Sequence, residues 1–303
     1  MTDITVSDPA AARSAPPTSG AGIRLPTQWL GVAPFFLFAL LFLILPTSYL
    51  ILGAFQNPAG EFTLENIRAL FQPSIMAAYW ISIKVSFASS VLGALIGLAM
   101  SIAIVRGGLP NWVRSTTMTF SGVASNFAGV PLAFAFLATL GRLGLVTVLL
   151  RYVGVDIYRD LGFNILSFWG LTLTYLFFQI PLMIVIITPA IDGLKREWGE
   201  AAATLGASQW QYWRMVVIPV LWPSFLGTVI LLFANSFGAI ATAYALTGSS
   251  LNIVPILLYA QIRGDVLNNP HLGYALAFGM IFITGLANAF YIWFRTRSER
   301  WLK

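Results

Sequence analysis

Cysteine is absent from the 303 residues, and histidine occurs once, as His271. Without thiols the chain has no disulfides, no thiolate nucleophile and no thiolate metal ligand, so its redox compartment is not legible. One imidazole without neighbouring carboxylates makes no metal site; beside Asn268, Asn269 and Pro270 it reads as a turn residue. Charge is also scarce, at 9% of residues, where soluble domains carry about a quarter. The three lysines, Lys84, Lys195 and Lys303, follow no glycine loop able to cradle phosphates, which excludes a P-loop ATPase. No cluster of nucleophile, base or metal ligands suggests a membrane enzyme.

What is abundant is apolar surface, 58% of residues, together with 26 Gly, 16 Pro and 23 Phe, types that suit membrane helices. Six runs, 30–55, 78–105, 115–140, 165–191, 225–247 and 272–294, are long enough to cross a hydrocarbon core of about 30 Å, which takes roughly 20 helical residues. The expected fold is an all-α membrane protein with six transmembrane helices. The third run is distinctive, because 115–126 is rich in hydroxyls and amides. Residues 1–28, with Pro9, Pro16 and Pro17, lack apolar periodicity and read as a disordered cytoplasmic tail, leaving 29–303 as the transmembrane domain. The first run exceeds the ~7 to 15 residues of a signal h-region and reads as a retained span.

Lys and Arg set the orientation. Cytoplasmic termini place Arg13, Arg24, Arg106, Arg114, Lys195, Arg196, Arg214, Arg295, Arg297, Arg300 and Lys303 on one side. Arg68, Arg142, Arg151, Arg159 and Arg263 fall on the other, offset by Glu61, Glu65, Asp156, Asp160 and Asp265. The net charge of +6 is spread rather than gathered on one face, which points to a membrane and not to nucleic acid. Lys84 is the one basic residue within a run; near its outer end it reads as snorkelling to the headgroups, with a pathway role as the alternative. No acid falls inside a run, which argues against a proton-coupled secondary carrier or channel.

The loop 192–222 carries the strongest local pattern. Leu194, Trp198, Ala201 and Leu205 share one helical face, Lys195, Arg196, Glu197, Glu200 and Thr204 the other. Gly206 stands where a left-handed cap ends the helix. Ser208 and Gln211 form a capping box for a second helix, which Pro219 and Pro223 are expected to end. The plain alternative is an amphipathic linker on the membrane surface.

Glu200, Ala201 and Ala202, then Gly206, then Val216, Val217, Ile218 and Pro219 resemble the cytoplasmic loop of permease subunits of binding-protein-dependent, type I ABC importers. That loop shows Glu-Ala-Ala, three residues, Gly, nine residues, then Ile-x-Leu-Pro. Val216 for Ile and Ile218 for Leu are apolar departures. Segment 62–71 resembles the stretch after the first span in these permeases, and Pro46 stands where that span commonly has a proline. The resemblance covers the chain from about Leu30 onward.

The resemblance implies that 192–222 holds a coupling helix. Glu200 would pair with a basic group on an ATPase, Ala201 and Ala202 would permit close approach, Gly206 would form the corner, and Pro219 would fix the return to the membrane. It implies a cytoplasmic ABC ATPase dimer that binds ATP and Mg, no cofactor in this chain, a second permease subunit and a periplasmic solute-binding protein, in a bacterial inner membrane.

Asn126, Gln179, Asn235 and Ser236 lie near the middle of three runs, as pathway residues or as hydrogen-bonding glue between helices. Gly93 and Gly97 form a small-xxx-small pair. The run 253–262 is too short to span and reads as interfacial or re-entrant; 142–164 reads as a docking surface or a solvated loop. Segments 248–255, 261–270 and 298–301 resemble permeases of the spermidine and putrescine importers, which implies a polyamine, with an aminophosphonate, thiamine or iron as alternatives.

Overall fold

The computed structural model describes residues 28–263 and 269–298. The expectation of a disordered tail falls on 1–27, outside the described residues, and so do parts of the polyamine-like segments, 264–268 and 299–301. Gln28 already belongs to a helix.

The first span runs through α1 (Gln28–Ala39), a π turn at Leu40–Ile44 and α2 (Leu45–Ala54). After the short α3 (Glu65–Ala69), α4 (Pro73–Arg106) is a 34-residue helix, about 51 Å at 1.5 Å per residue. It is longer than a hydrocarbon core of about 30 Å is thick. Next come α5 (Asn111–Ala124), α6 (Val130–Leu140), α7 (Leu145–Tyr152), α8 (Phe168–Asp192), α9 (Arg196–Thr204) and α10 (Gln209–Tyr212). A second π turn at Trp213–Val217 leads into α11 (Ile218–Phe237), followed by α12 (Ile240–Thr247), α13 (Val254–Arg263) and α14 (Pro270–Ser298). Six helical stretches are long and apolar enough to cross a membrane: Gly31–Ala54, Pro73–Arg106, Val130–Tyr152 (α6 and α7, joined by a turn at 141–144), Phe168–Asp192, Gln209–Phe237 and Pro270–Arg297. The all-α, six-span expectation holds; the boundaries of the third and fifth spans do not.

Between Ser48 and the C-terminal end, α8 is the central helix. Its apolar window is 61% buried, against 33% for α4. Leu171, Tyr175 and Phe178 anchor one buried cluster, and Met183, Ile187 and Ile191 a second one further along the helix. The Gly93 and Gly97 pair lets α4 lie directly on it: a Cβ at Gly93 would stand 2.8 Å from Gln179 Cβ, and one at Gly97 2.6 Å from Met183 Cβ.

Three sequence expectations are corrected. The run 115–140 is not one helix, because it breaks between α5 and α6. Ser125 and Asn126 turn their side chains back onto Gly122 O, at 3.1 and 3.0 Å, and Gly129 takes φ +79°, a conformation glycine adopts without steric cost. The run 225–247 breaks at Gly238 and Ala239. Pro219 and Pro223 do not end the second loop helix, which continues without interruption from Gln209 to Phe237. Its π turn lies immediately before the Ile218–Pro219 pair, with Ile218 N–H donating to Trp213 O. Leu45 N–H likewise donates to Leu40 O, next to Pro46. A proline ring clashes with the carbonyl four residues back and supplies no N–H; one wider turn absorbs both problems and keeps the helix intact.

Candidate coupling loop and polar pathway

α9 starts after Lys195 with Glu197 in its first turn, where a carboxylate suits the helix dipole. It ends in a full Schellman motif: Gly206 N–H donates to Ala203 O and Ala207 N–H to Ala202 O, both at 2.9 Å, with Gly206 at φ +77°. α10 follows at once, with Gln211 N–H donating to Ser208 Oγ at 3.3 Å and Ser208 N–H to Gln211 Oε1 at 2.7 Å. The corner between two capped helices stands as the sequence indicated. Nothing lies within 4 Å of a Cβ at Gly206, so only backbone conformation opposes a side chain there. Gly206→Val is expected to weaken the corner by about 1 to 2 kcal/mol, while Gly206→Asn, which tolerates the left-handed region, costs less. Faster amide exchange over 202–207 in the Val variant alone checks this.

The apolar face of α9 does not turn onto the bundle as a whole. Leu194 is buried against Ile191, Val217 and Leu221, but Trp198, Ala201 and Leu205 are exposed, Leu205 by 87%. Trp210 and Met215 extend the apolar surface. Several large apolar side chains exposed within one short segment suit an interaction surface. Glu200 is exposed and makes no ion pair among the described residues; Ala202 is half-buried and Ala201 open. Pro219 sits two residues past the π turn, inside the helix that re-enters the membrane.

Two arginines fix the root of the loop. Arg106 Nη2, at the end of α4, donates to Leu194 O at 2.7 Å. Arg114 Nη2 meets Asp192 Oδ2 at 2.6 Å. In the sequence both count only as orientation charges. Their position at run ends facing the loop was a hint, but their partners lie 88 and 78 residues away.

The four mid-span polar residues divide into two pairs. Gln179 is 0% exposed; its Nε2 donates to Leu232 O at 3.1 Å and to Ser89 Oγ at 3.4 Å, while its Oε1 has no partner among the described residues. Ser236 is buried and donates to Phe233 O at 3.2 Å and Ser86 O at 3.4 Å. Both lie in the seam of α4, α8 and α11, where burial removes them from any open surface. Asn126 and Asn235 are exposed, Asn126 in the α5–α6 break and Asn235 just before the α11–α12 break. The breaks meet: Gly129 N–H donates to Thr242 Oγ1 at 2.7 Å, so α6 and α12 begin side by side. Tyr175 OH closes the second break by donating to Ala239 O at 2.9 Å.

The remaining expectations resolve locally. His271 lies in the first turn of α14, its Nδ1 3.4 Å from Gly53 O, and among the described residues no group of His, Asp or Glu could hold a metal. Lys84 is exposed, its Nζ 4.9 Å from the centre of the Trp80 ring. Run 253–262 is the short helix α13, secured by Val254 N–H donating to Ser82 Oγ at 2.9 Å. In 142–164 Asp156 organises the turn: the N–H groups of Arg159 and Tyr158 and the nearby Arg151 hold its carboxyl below the usual range.

A bundle with six membrane-length helical stretches and an exposed helix–glycine–helix corner between two of them suits a transport permease. The sequence pattern of the binding-protein-dependent transport system inner membrane component matches residues 89–303. The chain therefore belongs to that family, the permease subunits of ABC importers, in which a separate protein hydrolyses ATP. It is 26% identical over 243 residues to the sulfate transport system permease protein CysT of Escherichia coli, with 79% of this chain and 83% of that protein covered. It is 26% identical over 219 residues to the molybdenum transport system permease protein ModB of Mycobacterium tuberculosis, covering 71% and 77%. Among solved structures, a bacterial ABC transporter involved in import of the acidic polysaccharide alginate matches with a TM-score of 0.69 at 18% identity, covering 91% of this chain and 97% of that one. That likeness shows the fold. The sulfate and molybdenum permeases are not named for a polyamine, contrary to the cargo the short segments implied.

Proposed function

We propose that this chain is one of two permease subunits through which an ATP-driven importer passes a small tetrahedral oxyanion of the sulfate or molybdate type. The observation that carries the cargo reading is the pair of helix breaks. α6 and α12 both start at the breaks and touch through Gly129 and Thr242, so two helix N-termini gather there beside the C-terminal ends of α5 and α11, and an anion would be met from the N-terminal side. No Asp or Glu lies within a described span except Asp192 at the end of α8. A polycation would have no carboxylate to meet, whereas an oxyanion needs only N–H, hydroxyl and amide donors. The names of the relatives support the same reading.

Work enters through the loop. The second loop helix is continuous with α11 as far as Phe237, so a displacement at Ser208 is carried by one rigid element to the Gly238–Ala239 break, where α12 meets α6. The exposed face of α9 and α10 offers Trp198, Leu205 and Trp210 to an ATPase, with Glu200 for a basic partner and termini on the ATPase side. Asn126, in the α5–α6 break, and Asn235, near the end of the fifth span, are exposed, and this reading places them against a second permease subunit around a wet pathway. A binding protein delivers cargo to the outward loops.

In the complex reconstituted with its ATPase and binding protein, sulfate or molybdate is expected to raise ATP hydrolysis several-fold and spermidine to leave it at the basal rate. Stimulation by spermidine alone would overturn the cargo reading without touching family membership.

A further inference from the structure

Four helix ends converge at the root of the coupling loop: α4 stops at Arg106, α5 begins at Asn111, α8 stops at Asp192 and α9 begins at Arg196. They enclose an open cleft of about 440 Å³ lined by Arg106, Arg114, Lys195 and Arg196, with Asp192 and Glu197 as its acids. We propose that this cleft binds a phosphate-class oxyanion, supplied by the headgroup of an anionic phospholipid.

Three features support a site rather than a scatter of rim charges. The two arginines are held in place, Arg106 through Leu194 O and Arg114 through Asp192. Each of these contacts uses one terminal nitrogen of a fork that carries five N–H donors, so both guanidinium groups keep donors for a ligand. Asp192 is neutralised by Arg114, which leaves Glu197 as the one opposing charge. Lys195 and Arg196 are exposed and have no anionic partner among the described residues. α9 also has no side-chain cap at Lys195, so its first N–H groups open on the same side without a side-chain acceptor.

Position selects the lipid. The cleft lies at the ends of two membrane-crossing helices, and Trp112, 69% exposed, stands two residues before Arg114 as an interfacial aromatic does. Basic pockets between helices at this depth suit phospholipid headgroups. The ATPase-facing corner at Gly206 is at the opposite end of α9, about 13 Å away along the helix axis. A bound headgroup would join the α4 and α5 ends to the start of α9, making the rigidity of the coupling element depend on anionic lipid.

The test uses the full importer complex in neutral detergent, with Tm followed during titration with short-chain phosphatidylglycerol, phosphatidylcholine of equal chain length, and inorganic phosphate. Phosphatidylglycerol is expected to raise Tm saturably and phosphatidylcholine to have no effect. Lys195→Gln with Arg196→Gln should weaken the phosphatidylglycerol response roughly 5-fold per cation removed, and Glu197→Gln should strengthen it. Inorganic phosphate giving the whole shift would support the oxyanion site and make a free ion its source. Equal half-saturation in the wild type and both variants would overturn the proposal. So would loss of the ATPase from the double-variant complex, since the cations would then serve subunit docking. The Glu197→Gln arm stands if the double variant does not fold.

Discussion

Replacing Glu200 with Lys is expected to abolish cargo-stimulated ATP hydrolysis in the reconstituted importer, by tenfold or more, while the subunit still inserts and melts like the wild type. Both halves follow from its surroundings. Glu200 is exposed, and no described residue pairs with it, so the chain's own fold loses nothing when the charge is reversed. An exposed pair is worth only ~0 to 1 kcal/mol. Reversal inside a desolvated interface is different, because breaking a buried charge pair costs about 2 to 5 kcal/mol. Glu200→Gln, which removes the charge without reversing it, should fall between the two. Unchanged stimulation in Glu200→Lys would remove this residue from the coupling contact.

The second large effect is expected at the α4–α8 contact. A Cβ at Gly97 would lie 2.6 Å from Met183 Cβ, 2.8 Å from Met183 Cγ and 2.9 Å from Ile180 O. The last is backbone on the most buried helix of the bundle and cannot swing aside. Gly97→Val therefore has to push α4 off α8, with an overpacking cost of about 1 to 3 kcal/mol or more at the seam that also holds Gln179. Lower yield of monodisperse protein and a fall of several degrees in Tm are expected. Gly285→Val is the control, since a Cβ there meets nothing within 4 Å. A Gly97→Val variant that melts like the wild type would show that the two helices are not in direct contact.

Local features of this fold were legible in the sequence. Gly206 and the Ser208 and Gln211 pair announce their caps because a cap is decided by a handful of adjacent residues. The spans announce themselves by length and apolarity. The breaks near Asn126 and Gly238 were hidden because hydropathy averages over uncharged residues and sees no difference between a helix and an interrupted one. Pro219 misled for a related reason. In water a proline ends a helix cheaply, since freed carbonyls find solvent, but in lipid every backbone group must be satisfied, and the π turn at Trp213–Val217 keeps the helix whole.

Periodicity also identified an amphipathic α9 without telling which way its stripe faces. Leu194 went into the bundle, while Trp198 and Leu205 did not. Arg106 and Arg114 could not be paired from sequence because their partners are distant in the chain. The polyamine reading rested on three short segments, two of which reach beyond the described residues, whereas the similarity to CysT extends over 243 residues.

Because the chain has no cysteine, Ala202→Cys introduces a unique probe on the helix proposed to meet the ATPase. In the assembled importer a short thiol-to-amine cross-linker is expected to join this position to the ATPase subunit, with a yield that changes on adding ATP. Leu143→Cys, 89% exposed between α6 and α7, should give no such product. Equal and ATP-independent labelling at the two positions, or no cross-link at Ala202→Cys, would contradict the claim that this loop receives work from the ATPase.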